Sequence, residues 1–173
     1  MIYALMVIVI FYFLKDKFKT KDTTKIYISE NTYSPELENW DYVPITVREN
    51  LQKHFTILSE ITKELKSYIP DLEGFFIFST WRPEDTDSPH TEGRAIDITE
   101  IILRNNNVIP LYNNHNNDYW KIFYYKCYEK FKEGKYNQII SPYGVIDTRT
   151  LTDRIKETLV RTHQDHIHLN IPS

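Results

Sequence analysis

The sequence predicts an α+β domain in which flanking helices pack on a small, mostly antiparallel β-sheet. Three observations lead to this fold class. Two long segments repeat apolar residues at helical spacing, several short runs are rich in isoleucine and phenylalanine, and an asparagine-rich turn separates two such runs as in a hairpin. With 173 residues, the chain has the length of one domain with one hydrophobic core.

Composition excludes several classes of protein. Hydrophobic residues make up 41% and aromatic residues 14% of the chain, which is enough to fold and argues against disorder. The net charge of -3 gives no basic surface for nucleic acid, so we expect no nucleic-acid partner. Cys127 is the single cysteine, and therefore no internal disulfide can form.

The N-terminal segment is unlike the rest of the chain. Residues 1–14 are unbroken apolar sequence, which as a helix covers roughly 21 Å. That is short of the ~30 Å hydrocarbon core, but Phe18 and lysine side chains extend its reach. We expect residues 1–18 to form a hydrophobic anchor helix, 19–25 a linker and 26–173 the folded domain. A signal-like segment and a buried core helix are the alternatives.

The first half of the domain predicts one helix between two strands. A short strand is expected over 25–29 and a buried strand over 74–80. Thr46 and Glu49 have the spacing of a capping box, so the helix is predicted to begin there and to end before Pro70. Its apolar stripe consists of Val47, Leu51, Phe55, Leu58, Ile61, Leu65 and Tyr68. His54 lies near this stripe and is interpreted as a packed or surface residue.

The second half predicts a hairpin, a helix and three shorter elements. A polar loop over 81–93 leads into a strand over 94–103, which turns at 105–107 and pairs with 108–112. Asp118 is the predicted N-cap of a helix whose apolar face carries Trp120, Phe123, Cys127 and Phe131. On that face Cys127 is a core residue rather than a nucleophile. The remaining elements are a strand, a short helix and a strand over 136–140, 148–160 and 166–171.

One stretch combines a histidine, a glycine and an acid in a pattern typical of a metal site. In SPHTEGRAID, His90 lies in the loop and Asp97 in the following strand, and Gly93 makes the turn between them feasible. An aspartate within an apolar run is costly unless it is paired or bound to metal. The alternative is a turn and a strand with a salt bridge between Asp97 and Arg94 or another base.

The C-terminal segment holds half of the six histidines. His166 and His168 are two residues apart and share one face of the predicted strand, and His163 precedes them. Histidines clustered in this way are not typical of a solvated surface and are candidate metal ligands, and a structural or adventitious site is the alternative. His115, in an asparagine-rich segment, is interpreted as a loop residue.

Two motifs resemble those of a known family. Ser88 to Asp97 resembles the S-x-H-x-x-G-x-A-x-D signature of the zinc peptidases that include D-Ala-D-Ala carboxypeptidases, D-Ala-D-Ala dipeptidases and peptidoglycan endopeptidases, whose fold the hedgehog N-terminal domain shares. D-H-I-H, residues 165–168, resembles the second motif of the family. S-T-W-R, residues 79–82, resembles its S-G-Y-R element, with Thr80 where glycine is usual.

The resemblance implies a site and a reaction. It implies a Zn²⁺ ion bound by His90, Asp97 and His168. It also implies that Arg82 stabilises the substrate carbonyl oxygen or the oxyanion. The general base in the family is an acid or a histidine, and the candidates here are His166, Asp165 and His163. Manganese or cobalt could occupy the same ligands in vitro.

The predicted function follows from this resemblance. We expect a monomeric zinc peptidase that hydrolyses peptide bonds in peptidoglycan stem peptides by zinc-activated water, as a carboxypeptidase or an endopeptidase. Its expected partners are the peptidoglycan peptide and a membrane, with the domain on the cell-wall side. The lysines after the anchor favour the cytoplasmic side instead. The alternative function is a non-catalytic zinc-binding module of hedgehog-like fold that acts through partners.

Overall fold

The structure, a computed structural model, describes residues 43–104 and 107–173. The predicted anchor helix, the linker and the strand over 25–29 lie outside these residues. Within the described ranges, no helix combines the length and the apolar character that a membrane crossing requires. The elements in chain order are α1 (Ile45–Leu65), β1 (Leu72–Ser79), a short 3₁₀ helix (Pro89–Glu92), β2 (Ala95–Leu103), β3 (Asn107–Pro110), α2 (Asp118–Lys132), β4 (Gln138–Ser141), β5 (Gly144–Asp147), α3 (Asp153–Thr162) and β6 (Ile167–Asn170).

Helix α1 begins two residues earlier than the capping box predicts. Its N-cap is Pro44, which makes no side-chain cap, and Thr46 is already the second helical residue. The fixed φ of proline suits the start of a helix, and the Pro44 carbonyl accepts a hydrogen bond from the amide of Arg48 at 3.0 Å. The prediction that Thr46 caps the helix is therefore wrong.

The apolar stripe of α1 faces the core as predicted, except at its last member. The six positions from Val47 to Leu65 are buried, whereas Tyr68 lies beyond the end of the helix and is 57% exposed. The helix ends at Leu65, and a turn separates it from Pro70. His54 is completely buried, which confirms the interpretation of a packed residue.

Helix α2 confirms the second periodic segment. It begins at Asp118, and the side chain of Asn117 accepts a hydrogen bond from the amide of Tyr119 at 2.9 Å, so the N-cap is Asn117 and not Asp118. Cys127 is completely buried, and burial raises the pKa of its thiol far above the usual range. The thiol is therefore neutral and inert, as its place in the apolar stripe predicts.

The sheet is antiparallel at every strand pair among the described residues. Its order is β1-β2-β6-β4-β5, and β3 pairs with β2 as the predicted hairpin. β6, the last strand of the chain, inserts between β2 and β4. In this register Asp97 lies directly opposite His168, and Ile140 lies opposite His168 on the other side. The α+β class and the antiparallel sheet are thus confirmed.

Side-chain alternation gives the sheet two different faces. Ile96 and Ile98 of β2 and Ile167 and Leu169 of β6 belong to the core, which α1 and α2 cover. The residues between them in sequence point to the opposite face, where an open groove runs. Helix α3 differs from the other two helices because none of its residues is buried. Its apolar side chains line the groove instead.

Gly93 closes the turn between the 3₁₀ helix and β2. Its φ is +65°, and a Cβ placed there would meet Val47 Cγ1 at 2.8 Å and the Val47 carbonyl oxygen at 3.0 Å. We expect Gly93→Ala to lower the free energy of unfolding by about 2–4 kcal/mol, because left-handed strain and a backbone clash add. Urea unfolding measures the loss.

Gly134 provides the matched control for that substitution. Its φ is +75°, but no atom lies within 4 Å of an added Cβ. Gly134→Ala should therefore cost only the backbone strain, about 1–2 kcal/mol. Equal losses for the two variants would show that the contact with α1 does not constrain the turn at Gly93.

Candidate metal centre

Three side chains from separate parts of the chain form a buried cluster. His90 comes from the 3₁₀ helix, Asp97 from β2 and His168 from β6, and each is less than one tenth exposed. One possible ligand atom from each residue lies within 4.8 Å of the others. The cluster could therefore hold a metal ion, and it consists of the three residues that the family resemblance implies as ligands.

Hydrogen bonds across the β1–β2 loop position His90. The amide of Arg82 donates to the carbonyl of His90 at 3.3 Å. The indole Nε1 of Trp81 donates to the carbonyl of Thr91 at 3.0 Å. The imidazole Nδ1 of His90 lies 3.2 Å from the carbonyl of Thr80. These hydrogen bonds join the start of the loop to the 3₁₀ helix and hold the His90 ring in position.

The His90 ring fits a cation ligand. Since Nδ1 faces a carbonyl oxygen, it carries the proton and leaves a lone pair on Nε2. Nε2 is buried and has no hydrogen-bond partner within residues 43–104 and 107–173, and it lies 3.3 Å from Oδ2 of Asp97. Two acceptor atoms that face each other at this distance favour a cation between them. Donation to a carbonyl from the other ring nitrogen is the usual support of a metal-bound histidine.

The protonation states of Asp97 and His168 also suit a metal. Burial alone would raise the pKa of the Asp97 carboxyl, but its contacts with His168 and His90 outweigh this effect and hold the pKa well below its usual range. Burial lowers the pKa of His168, although the adjacent Asp97 carboxylate opposes the shift. An ionised carboxylate and a neutral imidazole are the forms that bind metal.

The predicted alternative for Asp97, a salt bridge with Arg94 or another base, occurs with Arg82 and not with Arg94. Arg94 pairs with Glu92 and not with Asp97. Asp97 instead contacts His168 Nδ1 through Oδ1 at 2.9 Å and Arg82 Nη2 through Oδ2 at 3.5 Å. The acid in the apolar run is therefore compensated by the two histidines and Arg82.

The structure brings all three candidate bases to the edge of the cluster. His166 directly precedes β6, and its Nε2 lies 3.8 Å from Oδ1 of Asp97 while its Nδ1 lies 2.7 Å from Oδ1 of Asp165. His163 is the C-cap of α3, and its ring centroid lies 4.6 Å from that of His166. Because the strand begins after Asp165, alternation does not turn this acid away from the groove, and its side chain is 64% exposed there.

His163 is held by the end of α3. Its Nδ1 lies 2.7 Å from the carbonyl oxygen of Leu159, so this nitrogen donates and Nε2 keeps a lone pair. Burial and the neighbouring His166 lower the pKa of His163 to about 4. The ring is therefore neutral at physiological pH.

Arg82 reaches the cluster from the end of the β1–β2 loop nearest β1. Its Nε pairs with Asp85 at 3.1 Å and its Nη2 lies 3.5 Å from Asp97. The side chain is 41% exposed and lines the groove. The guanidinium therefore lies beside the His90, Asp97 and His168 cluster and is accessible from the groove.

The groove beside the cluster has a volume of about 1070 Å³. Sequence reasoning missed most of its walls, because they come from strands and helices far apart in sequence and no spacing marks them. Apolar side chains of the sheet and of the loop after β3 form one wall. Helix α3 forms another wall, and polar side chains line the end near β5. The main contributors are Phe76, Phe78, Tyr112, Ile155, Leu159 and Arg149.

Another histidine supports the site from the core side. His54 Nε2 donates to the carbonyl of Arg94 at 2.9 Å, just before β2 begins. Burial, together with the nearby His168 and His90, lowers the pKa of His54 to about 3. The hydrogen bond to the Arg94 carbonyl acts in the opposite direction but is outweighed. The buried imidazole is therefore neutral and ties α1 to the turn that precedes Asp97.

The low pKa of His54 makes stability depend on pH. Above pH 6.5 His54 is neutral in both the folded and the unfolded protein, and its contribution to the free energy of unfolding is fully present. As the pH falls from 6.5 toward 3, the unfolded chain binds a proton that the folded protein excludes, so the free energy of unfolding decreases by roughly 1.4 kcal/mol per pH unit. His54→Gln keeps a donor for Arg94 without the titration, and we expect it to flatten this dependence.

Urea unfolding of wild type and His54→Gln between pH 7 and pH 4 measures the difference. A chelator in every sample removes the contribution of metal release. The other histidines are present in both proteins, so they cancel in the comparison. Parallel curves for the two proteins would contradict the neutral state assigned to His54.

No protein-family model, curated protein or solved structure gives a match to this chain. The resemblance to the zinc peptidases therefore rests on the two motifs, residues 88–97 and 165–168, and on the STWR element alone. The structure adds that all three segments meet at one site.

Proposed function

We propose that the chain is a zinc peptidase that hydrolyses peptide bonds in peptidoglycan stem peptides, similar to D-Ala-D-Ala carboxypeptidases and peptidoglycan endopeptidases and with their hedgehog-like fold. The observation that carries this proposal is the buried cluster of His90, Asp97 and His168 at the floor of a large groove. These are the residues to which the motifs assign zinc ligation. We place the domain on the cell-wall side of a membrane, held there by residues 1–18.

The donor set suits zinc. Two imidazoles and one carboxylate are typical of a catalytic zinc site, which keeps a further position open. When bound, zinc supplies Lewis acidity toward water and a carbonyl group. The unpaired Nε2 of His90 and the ionised carboxylate of Asp97 support occupation by a cation.

We assign the role of general base to His166. Its Nδ1 faces the carboxylate of Asp165 at 2.7 Å, so Nδ1 carries the proton and Nε2 is the free acceptor beside the cluster. A carboxylate that fixes the tautomer of a histidine is a recurring arrangement in hydrolases. Asp165 is then a positioning residue, and His163 packs against the His166 ring.

We assign the stabilisation of negative charge to Arg82. Its guanidinium is fixed by Asp85 and Asp97 and remains 41% exposed to the groove. Charge-assisted hydrogen bonds from such a group are suited to an oxygen that gains negative charge during peptide hydrolysis.

The size of the groove supports an extended peptide as substrate. A volume of about 1070 Å³ lies just above the roughly 300–1,000 Å³ that small-molecule sites span, and a free dipeptide would leave most of it empty. Stem peptides within the wall, or their released fragments, fill more of it. This observation favours cleavage of cell-wall peptides over scavenging of D-Ala-D-Ala.

The proposal is tested by measuring metal content and hydrolysis together. The full chain is purified, its zinc is quantified, and it is incubated with purified peptidoglycan or with free D-Ala-D-Ala while new amines and fragments are followed by mass spectrometry. About one zinc per chain, with peptidoglycan fragments that disappear in His168→Ala, is the expected result. Zinc without fragments would indicate the non-catalytic module, and an absence of zinc would reduce the cluster to a turn with a salt bridge.

A further inference from the structure

The segment that carries the three candidate bases, residues 163–166, connects α3 to β6. On the side of α3, His163 Nδ1 donates to the Leu159 carbonyl at 2.7 Å. The side chain of Gln164 donates to the Val160 carbonyl at 2.6 Å. Helix α3 contains no buried residue, and helices in proteins are held mainly by packing of a buried face. These two hydrogen bonds therefore attach the segment to an element that the core does not hold.

His115 ties the same segment to another part of the fold. It lies in the loop between β3 and α2, and its Nε2 lies 2.6 Å from the carbonyl oxygen of Gln164, 49 residues further along the chain. Because a carbonyl oxygen only accepts, Nε2 carries the proton and donates. Gln164 lies between His163 and Asp165, so this hydrogen bond holds the backbone inside the segment of the candidate bases.

The loop that carries His115 is itself held by the sheet. Tyr143, in the turn between β4 and β5, donates its hydroxyl to the His115 carbonyl at 2.8 Å. The amide of Tyr143 donates to Oγ of Ser141, a completely buried residue of β4. Burial raises the pKa of Tyr143 to about 12, so its hydroxyl keeps the proton that it donates. Hydrogen bonds thus lead from β4 through Tyr143 and His115 to Gln164.

We propose that His115 is a positioning residue that holds residues 163–166 beside the metal cluster. This inference rests on the proposed function, because it assumes that a general base from this segment acts on the substrate. His115 does not belong to the described residues that line the groove, so it acts through the segment and not on the substrate.

Small displacements of the segment are important at the distances found here. The ring centroids of His163 and His168 lie 5.8 Å apart, and His166 Nε2 lies 3.8 Å from Oδ1 of Asp97. A general base must reach the proton that it takes within hydrogen-bond distance, and a misplacement of about 1 Å can lower a rate by about 10²-fold. The three residues of the metal cluster lie outside the segment, so loss of the His115 hydrogen bond should lower kcat and spare the metal.

Two substitutions separate the hydrogen bond from the size of the side chain. His115→Leu keeps the bulk and removes the donor, and we expect kcat to fall about 10- to 100-fold while zinc content and KM change little. His115→Gln places an amide donor close to the position of Nε2 and should keep kcat within about threefold of wild type. Equal kcat in His115→Leu and wild type, or equal losses in both variants, would overturn the proposal.

Asn117→Ala is the control for general destabilisation. Asn117 lies in the same loop, and its side chain accepts from the amide of Tyr119 as the cap of α2. We expect this variant to unfold at lower urea concentration and to keep kcat within about twofold of wild type. A loss of kcat as large as in His115→Leu would overturn the proposal, because destabilisation of the loop would then explain both results.

Tyr143→Phe tests the hydrogen bond behind His115. The substitution removes only the hydroxyl that donates to the His115 carbonyl, and the ring that packs at 5.2 Å from Tyr124 remains. We expect kcat to decrease, but by less than in His115→Leu. Unchanged kcat in Tyr143→Phe would overturn the contribution of this hydroxyl.

A measurement without hydrolysis tests the position of the segment directly. Two-dimensional NMR of the full chain should show a nuclear Overhauser effect between ring protons of His163 and His168 in wild type and in His115→Gln. We expect this effect to be weaker or absent in His115→Leu, and an unchanged effect would overturn the proposal. If wild type hydrolyses nothing while the effect follows the expected pattern, the peptidase function is overturned and the positioning by His115 is supported. Hydrolysis by wild type with an unchanged effect in His115→Leu would have the reverse meaning.

Discussion

His168→Ala is expected to abolish stoichiometric zinc binding and, with it, all measurable hydrolysis. His168 lies directly opposite Asp97 across the β2–β6 pair, at the centre of the cluster. Loss of one of three protein ligands leaves a site with two, and even the loss of a residue that only supports a ligand typically lowers metal affinity 10- to 100-fold. We therefore expect the zinc affinity of His168→Ala to decrease by more than about 100-fold.

Two measurements check this expectation. Zinc content after dialysis should fall from about one per chain to near zero. Thermal unfolding should also lose its zinc dependence, because a ligand at 100 times its dissociation constant stabilises a protein by about 2.7 kcal/mol and a ligand that does not bind stabilises nothing. His166→Ala, two residues away in the same segment, is the matched control and should keep its zinc. Undiminished zinc in His168→Ala would exclude it as a ligand.

His166→Ala is expected to retain zinc and to lower kcat by about 10²- to 10⁴-fold. A positioned general base contributes a factor of this size, and His166 Nε2 lies 3.8 Å from Oδ1 of Asp97. Because His166 is 19% exposed at its side chain and precedes β6, its removal should leave the fold intact. Activity and zinc content are measured on the same preparations.

The hydrogen bond from His166 to Asp165 predicts a graded series. Asp165→Asn keeps the size of the side chain but removes the charge that orients the imidazole, so kcat should decrease less than in His166→Ala and KM should change little. His163→Ala is the competing assignment. If His163→Ala shows the decrease in kcat that is expected here for His166→Ala, and His166→Ala remains nearly active, the general base is His163 and not His166.

The residues of the candidate site could be predicted from the sequence because their chemistry is unusual for their position. An aspartate within an apolar strand and three histidines in six residues each require compensation, and a strand alternates its side chains by a fixed geometry. The same regularity gave the core positions of α1 and α2. The caps of these helices were misplaced by one or two residues, because Pro44 and Asn117 compete with neighbouring residues that can also begin a helix.

The role of Asp165 shows why local pattern is not sufficient. Alternation turns this acid away from the site only if the strand includes it, and the strand begins at Ile167. The position of that boundary depends on pairing with β2 and β4, which starts at Ile167 on one side and at His168 on the other. Residues 163 to 166 therefore lie outside the sheet, and His163, Asp165 and His166 line the groove near the end of α3.

The sequence by itself determined which residues form the candidate site, the α+β class and the side of β2 and β6 that faces the core, since these depend on residue type and on short periodicities. Only the tertiary structure decided that β6 lies between β2 and β4, and thus that Asp97 meets His168 across 71 residues of chain. It also decided which residues form the walls of the groove. The physical reason is that strand order and register are set by burial of the whole sheet, and no local pattern encodes which distant strands become neighbours.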